Sequence, residues 1–159
     1  MNLGCFSLEK MSILIVQFSF KILDPPLLLI SPKESIMPAK NKILVVDDEE
    51  ALRTVLASEL EGEGYLVTTA FDGQNAIDIL GSAVFDLILL DIKMPNVDGF
   101  EVLKFVKERH PTTKIIMLTG FADLKNAIES KKLGAEDFVS KPYDLVDLLT
   151  TVERVLTGV

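Results

Sequence analysis

The chain has 159 residues, 48% of them hydrophobic, and a formal net charge of −8. This length and apolar content suit one ordinary domain with a packed core, and the acidic balance argues against nucleic acid as a direct partner. Cys5 is the only cysteine, which excludes an internal disulfide and a thiolate metal cluster and fits a reducing compartment. We therefore expect a cytoplasmic protein that does not bind nucleic acid directly.

The first 36 residues are apolar but are interrupted by charged residues and by the Pro25-Pro26 pair. No stretch reaches the roughly 20 apolar residues of a membrane-spanning helix, and a signal-peptide cleavage site is missing. We expect residues 1–39 to be an N-terminal extension outside a domain formed by residues 40–159. The extension is expected to be disordered or membrane-associated, or to be upstream sequence before a natural start at Met37; an anchor or an appended strand is the alternative.

From Lys42 onwards, apolar segments of strand length recur at regular intervals. Five strands are predicted, over residues 43–46, 65–70, 87–90, 115–118 and 136–140. The first, third and fourth are continuous apolar runs without alternation, which is typical of strands covered on both faces in a parallel sheet. The second and fifth segments are weaker candidates.

Helical periodicity fills the intervals between these strands. Leu52, Leu56 and Leu60 recur at steps of four residues before Gly62 ends the pattern, and Asp144 is well placed as the N-cap of the last helix. The other helices are predicted to begin at Gly73 and include Leu80, and to span 99–109, 122–133 and 145–156. Five strands that alternate with five helices predict an α/β fold with a doubly wound parallel sheet.

Polar residues follow four of the predicted strands at the point where each strand ends. Asp47 and Asp48 follow the first strand, Asp91 the third, Thr119 the fourth and Lys141 the fifth. Because ligands of open α/β sheets bind outside the carboxyl ends of the strands, we expect these five side chains to converge on one rim.

Adjacent carboxylates at such a rim need a compensating cation. Two unit charges about 4 Å apart repel by roughly 4 kcal/mol at an effective dielectric constant near 20. Oxygen ligands without His or Cys suit Mg²⁺, and a carboxylate beside that ion can act as a nucleophile on phosphorus. Thr119 and Lys141 would then face phosphoryl oxygens. On this argument, removal of Asp47 or Asp48 leaves the stability of the metal-free protein equal or higher.

Four segments carry a resemblance to a known family. LVVDDE, LILLDIKMPNVDGFEVL, IIMLTG and FVSKPYD resemble the receiver domains of two-component response regulators, over about residues 40–159. The resemblance implies a flavodoxin-like sheet with strand order 2-1-3-4-5. Because the sequence ends at Val159, we expect a stand-alone receiver or a fragment of a longer protein.

The resemblance also implies roles for individual residues. Asp91 corresponds to the phosphoacceptor, and Asp47 and Asp48 correspond to the acidic pair that binds Mg²⁺ together with Asp91 and the backbone carbonyl of Lys93. Lys141 is similar to the lysine that pairs with the phosphoryl group.

Further positions of the same pattern concern switching and signal lifetime. Thr119 resembles the switch hydroxyl, Phe138 resembles the aromatic residue that changes rotamer on phosphorylation, and Lys141-Pro142 resembles the family's cis peptide. Lys93 and Phe121 each lie two residues beyond a site residue. Neither side chain can accept a proton from an attacking water, so we expect both to slow hydrolysis of the phosphoryl group.

The resemblance implies a signalling switch and not an enzyme that acts on a metabolite. A sensor histidine kinase or a histidine phosphotransfer protein would donate the phosphoryl group, and the domain would catalyse only its own phosphorylation and dephosphorylation. The surface formed by the fourth helix, fifth strand and fifth helix would then control a downstream protein, with no membrane contact for the domain.

Three alternatives remain open at this point. A Mg²⁺-dependent phosphatase or phosphotransferase with an aspartyl nucleophile usually has a second acid two residues after the nucleophile, where this chain has Lys93. A flavin-binding electron carrier needs a phosphate-cradling loop after the first strand, and residues 47–50 are all acidic. Taken alone, the Asp47-Asp48 pair is also compatible with a plain helix N-cap.

Overall fold

The computed structural model describes residues 40–120 and 124–158, in which five strands and five helices alternate along the chain. The strands are β1 (Lys42–Val46), β2 (Leu66–Ala70), β3 (Leu87–Asp91), β4 (Lys114–Gly120) and β5 (Asp137–Lys141). The helices are α1 (Glu50–Gly62), α2 (Gly73–Leu80), α3 (Gly99–Arg109), α4 (Leu124–Lys132) and α5 (Leu145–Thr157). The expectations for residues 1–39 lie outside the described residues, as does the predicted start of α4 at Ala122.

The strands form one parallel sheet in the order β2-β1-β3-β4-β5, which confirms the predicted fold and topology. The predicted strands agree with the observed ones within a few residues. Three shifts matter for the site. β3 ends at Asp91 and β4 at Gly120, so Asp91 and Thr119 lie within strands. β5 ends at Lys141 and not at Ser140, so the lysine is also part of its strand. Its backbone position is therefore set by pairing with Gly120 of β4.

Alternate residues of the central strands enter two separate apolar layers. Leu44 and Val46 of β1 pack in the layer that includes α2 and α3, whereas Ile43 and Val45 pack in the layer that includes α1 and α5. β1 and β3 are therefore buried on both faces, as their continuous apolar sequences predicted. β2 differs because it is an edge strand, and its Leu66 is 49% exposed.

The loop between β3 and α3 is held close to the end of β3. The Gly99 amide donates a hydrogen bond to the Ile92 carbonyl at 3.0 Å, and a Cβ on Gly99 would lie only 2.2 Å from the Asp91 carbonyl oxygen. A capping box between Asp98 and Glu101 starts α3 directly after the loop. The end of β3 and the start of α3 are thus locked together around Asp91.

Across the ranges 40–120 and 124–158, no helix combines the length and apolar character needed to cross a lipid bilayer.

Candidate functional site

Three carboxylates meet at the carboxyl end of the sheet. Asp47, Asp48 and Asp91 each offer one oxygen, and these oxygens all lie within 4.8 Å of one another. β1 and β3 are neighbours, with Val46 paired to Leu90, so Asp47, which follows Val46, and Asp91, which follows Leu90, are brought side by side. The structure confirms that these acids converge, and it distinguishes between them: Asp47 is 0% and Asp91 4% exposed, whereas Asp48 is exposed.

Lys141 lies against two of these three acids. Its Nζ is 2.6 Å from Asp47 Oδ2 and 3.3 Å from Asp91 Oδ1, and Glu49 Oε1 lies further away at 3.9 Å. The peptide bond between Lys141 and Pro142 is cis, as the resemblance implied. From the sequence, this ammonium was expected to face phosphoryl oxygens, and a metal alone was expected to compensate the acids. In the structure, the ammonium itself offsets part of the repulsion between the buried carboxylates.

The buried charges shift one another's protonation equilibria. Burial raises the pKa of Asp91 to about 6 from an ordinary 3.8; Lys141 opposes this shift, and the nearby Asp47 adds to it. Burial alone would lower the pKa of Lys141, but its hydrogen bond to Asp47 and its attraction to Asp91 outweigh burial, so that pKa is raised. Above about pH 6, Asp91 is therefore ionised and able to act as a nucleophile, and Lys141 remains charged.

Thr119 is placed beside Asp91 by the pairing of β3 with β4. Asp91 is opposite Leu118, and Thr119 follows one residue further toward the rim. The Thr119 side chain is buried, and its Oγ1 has no hydrogen-bond partner among the described residues. A buried hydroxyl without a partner is unfavourable, so this group is poised to bond a ligand oxygen placed next to Asp91.

Two further predicted residues, Phe138 and Lys93, lie within the described part of the chain. Phe138 is in β5 opposite Met117 and is 37% exposed, which leaves its ring at the protein surface. Lys93 is exposed in the loop that follows β3. Phe121 lies outside the described residues.

Sequence reasoning missed three residues that line the site. Arg53 donates from Nη1 to the Asp47 carbonyl oxygen at 2.7 Å, which ties α1 to the turn carrying the acidic pair. The Glu49 amide donates to Asp47 Oδ1 at 2.9 Å. Tyr143 has a buried hydroxyl with no partner among the described residues, and burial raises its pKa to about 12. The only signal for Arg53 was a single basic residue one turn into an acidic helix start.

The alternative interpretation of Asp47 and Asp48, as a plain helix N-cap, agrees with the structure only in part. The N-cap position of α1 is Glu49, whose side chain makes no capping bond, while Asp47 accepts the Glu49 amide just before the helix. Asp48 is not the N-cap. Capping therefore accounts for one oxygen of Asp47 and leaves the clustering of three acids unexplained.

The donor set fits Mg²⁺. All the clustered ligands are carboxylate oxygens, and one of them, Asp48, is exposed to water as an ion that keeps several waters requires. Asp47 and Asp91 would hold the ion from the buried side, and Lys93 follows Asp91 by two residues in the adjoining loop.

Comparison with known proteins decides the family. Residues 43–153 match the family described as response regulator receiver domain, which covers more than half of the chain. The chain belongs to this family. It is a receiver domain of the two-component response regulators, a phosphoacceptor signalling switch.

Named relatives of this receiver domain are transcriptional regulators. It is 39% identical over 117 residues to the transcriptional regulatory protein ZraR of Salmonella typhimurium, and 37% identical over 115 residues to the DNA-binding transcriptional regulator NtrC of Escherichia coli. These alignments cover 74% and 72% of this chain but only 26% and 24% of the relatives. The chain thus spans about a quarter of the length of the curated relatives it matches.

A solved receiver domain has the same fold. The CheY-like response regulator receiver domain protein from Methanospirillum hungatei superposes with a TM-score of 0.73 at 34% identity, and the match covers 76% of this chain and 96% of that one. The similarity therefore extends over nearly the entire solved chain.

Proposed function

We propose that Asp91 is the phosphoacceptor and that Asp47, Asp48 and the Lys93 carbonyl would hold Mg²⁺ beside it. The observation that carries this proposal is the convergence of three acids within 4.8 Å around a buried aspartate whose neighbour is Lys141. When bound, Mg²⁺ supplies positive charge against the acids and the phosphoryl oxygens.

The chain's own residues then have distinct tasks. A carboxylate oxygen of Asp91 forms a bond to phosphorus while the bond between phosphorus and the donor's imidazole nitrogen breaks, and the nitrogen keeps the electron pair. Lys141, which lies 3.3 Å from Asp91 Oδ1, is placed to pair with a phosphoryl oxygen. Thr119 contributes the buried hydroxyl that lacks a partner and would donate to another oxygen.

Incubation with Mg²⁺ and acetyl phosphate or phosphoramidate, followed by intact mass measurement, tests the assignment. We expect one base-labile phosphoryl group in the parent and none in Asp91→Asn. Asp78→Asn is the matched control because Asp78 is an exposed acid on α2 that bonds only Gln74 in the described structure. Full modification of Asp91→Asn would refute the assignment.

We further propose a sensor histidine kinase or a histidine phosphotransfer protein as donor. Phosphorylation would change the surface of α4, β5 and α5 and so control a downstream protein, with Thr119 and Phe138 as the switch residues. The chain's charge of −8 supports protein partners over nucleic acid for this segment, although one relative is named a DNA-binding regulator. A cytoplasmic location and self-catalysed phosphorylation and dephosphorylation complete the proposal.

The phosphatase alternative has less support. Its second acid would have to follow Asp91 by two residues, where the exposed Lys93 stands. An ammonium cannot act as the general acid and base of such an enzyme in the way a carboxylate does.

A further inference from the structure

Glycines contact the β3–α3 loop at both of its ends. Gly99 lies against the backbone of Asp91 and Ile92, and Gly73, the first residue of α2, lies against Val97. A Cβ on Gly73 would be 2.3 Å from the Val97 carbonyl oxygen and 2.8 Å from both Val97 Cβ and Cγ1. Contacts that short do not occur, so a side chain at Gly73 forces a displacement.

The need for glycine at position 73 is spatial and not conformational. Gly73 is not among the glycines with positive φ, and it is the first residue of a helix, a backbone conformation that alanine also adopts. The methyl group of an alanine would not fit at this position, because Val97 of the loop lies directly against the start of the helix.

The helix start is the stiffer of the two surfaces. Asp72 caps α2 by accepting the Asn75 amide at 2.7 Å, and Ala76 and Leu80 anchor the helix in the core. The loop, by contrast, is six residues long between Asp91 and Asp98 and includes Asn96 in the left-handed region, at φ 67°. An added methyl group is therefore expected to move the loop and not the helix.

We propose that Gly73 is a positioning residue for the metal site. Because Gly73 has no side chain, Val97 can pack against the start of α2. This contact fixes the path of the β3–α3 loop, which contains Lys93. The inference rests on the proposed function, because the Lys93 carbonyl is taken as a metal ligand. It adds a residue of a different element, the start of α2, to the determinants of Mg²⁺ affinity.

Gly73→Ala and Gly62→Ala form a matched pair for the test. Gly62 is also helical and has no positive φ, and a Cβ on it would have no neighbouring atom within 4 Å, so alanine fits there without displacement. We expect Gly73→Ala to weaken Mg²⁺ binding by about tenfold, as loss of outer-shell support commonly does, and Gly62→Ala to leave it unchanged. Mg²⁺ affinity is measured by calorimetric titration, and the folded fraction by circular dichroism.

A purely structural role and a positioning role give different results. If Gly73 matters only for stability, the folded fraction of Gly73→Ala falls while its Mg²⁺ affinity equals the parent's, and the inference is overturned. If it positions the loop, affinity falls in fully folded protein, and saturating Mg²⁺ restores phosphorylation by acetyl phosphate.

If Gly73→Ala does not fold, a second variant tests the positioning role of Gly73. Val97→Ala shortens the side chain that seats on α2 and introduces no new atom, and we expect it to weaken Mg²⁺ binding in the same direction by a smaller factor. Unchanged affinity in Val97→Ala would then overturn the inference. Failure of the parent itself to bind Mg²⁺ would instead refute the proposed function, and the inference with it.

Discussion

At the scale of single residues, the site concentrates unequal acids around one ammonium. Asp47 is fully buried and makes the 2.6 Å contact with Lys141, Asp91 is nearly buried at 3.3 Å from it, and Asp48 is exposed. Burial is the main cause of the raised pKa of Asp91; Lys141 opposes this shift, and the charges of Asp47 and Asp48 add to it. The proposed nucleophile is thus a group whose ionisation is opposed by its burial.

The raised pKa of Asp91 predicts a pH dependence of stability in the absence of Mg²⁺. Between pH 3.8 and about 6, the unfolded chain releases this proton before the folded protein does, so stability from this group falls as the pH rises through that window. At about 1.4 kcal/mol for each pH unit, the loss amounts to at most about 3 kcal/mol above pH 6. Asp91→Asn removes the titrating group.

We therefore expect Asp91→Asn to be more stable than the parent at pH 7.5 and to lose this advantage near pH 4. Urea unfolding with a chelator present, at several pH values between these limits, measures the difference between the two proteins. A difference that does not change with pH would show that Asp91 does not carry the raised pKa.

The two acids of the pair are expected to respond differently to substitution. Asp47→Asn removes the buried charge that pairs with Lys141, and we expect the free energy of unfolding to fall by about 1–3 kcal/mol without Mg²⁺. Asp48→Asn, at an exposed position, should leave stability equal or higher because one repelling charge is removed. The structure thus changes the expectation for Asp47 and keeps it for Asp48.

Both variants should bind Mg²⁺ more weakly than the parent in calorimetric titrations, because each loses a carboxylate. Equal stability changes in Asp47→Asn and Asp48→Asn would contradict the asymmetry of burial on which this prediction depends.

At the scale of elements, the site side chains lie at the ends of strands, and the starts of the following helices are fixed beside them by N-caps. Side chains at the N-caps of α2, α3 and α5, which are Asp72, Asp98 and Asp144, accept backbone amides of their helices. The Asp144 cap was predicted and is confirmed. These caps fix the helix starts around the rim, and the loops between strand and helix remain the parts that tune the reaction.

The presence of Lys93 in the β3–α3 loop leads to a prediction about the lifetime of the phosphoryl group. Lys93 is exposed in this loop, and its ammonium can neither orient an attacking water nor accept its proton. We expect Lys93→Asn to accelerate loss of the phosphoryl group, and Phe121→Glu to do the same from the position two residues after Thr119. Phosphoryl loss is followed by mass spectrometry after removal of the donor.

Lys104→Asn is the control for charge alone, because Lys104 is an exposed lysine on α3 and not in the loop. If Lys93→Asn and Phe121→Glu both hydrolyse at the parent rate, neither side chain shields the phosphoryl group.

At the scale of the whole molecule, ion pairs join the three elements proposed to change on phosphorylation. Asp137 of β5 pairs with Arg154 of α5, and its Oδ1 lies 3.7 Å from Lys131 of α4. Burial opposes ionisation of Asp137, but the hydrogen bond from Arg154 and the nearby Lys131 outweigh it, and the pKa is lowered. A change at Thr119 in β4 can reach this surface because Thr119 pairs directly with Ser140 of β5.

Beryllofluoride with Mg²⁺ is therefore expected to shift amide resonances within residues 124–157 as well as around Asp91. Two-dimensional NMR of the parent, with Asp91→Asn as the control that cannot bind the analogue, measures this response. Shifts confined to the rim residues would show that the surface of α4, β5 and α5 does not respond.

Local sequence features were enough to predict the order of the elements and the composition of the site. Continuous apolar runs, helical periodicity and the polar residues at strand ends are local features, and parallel strands bring their carboxyl ends to one rim whatever the details of packing. The acids at positions 47, 48 and 91 therefore were predicted to meet, and they do.

The contacts and the burial of these residues depend on tertiary packing. Lys141 and Asp47 are 94 positions apart, and their 2.6 Å contact depends on the spacing of β1 and β5 across the sheet, which no local pattern encodes. No local pattern encodes the burial of Asp47 next to an exposed Asp48, or the packing of Val97 against Gly73. Periodicity reports which face a residue occupies, whereas distances between elements arise only when the two apolar layers pack.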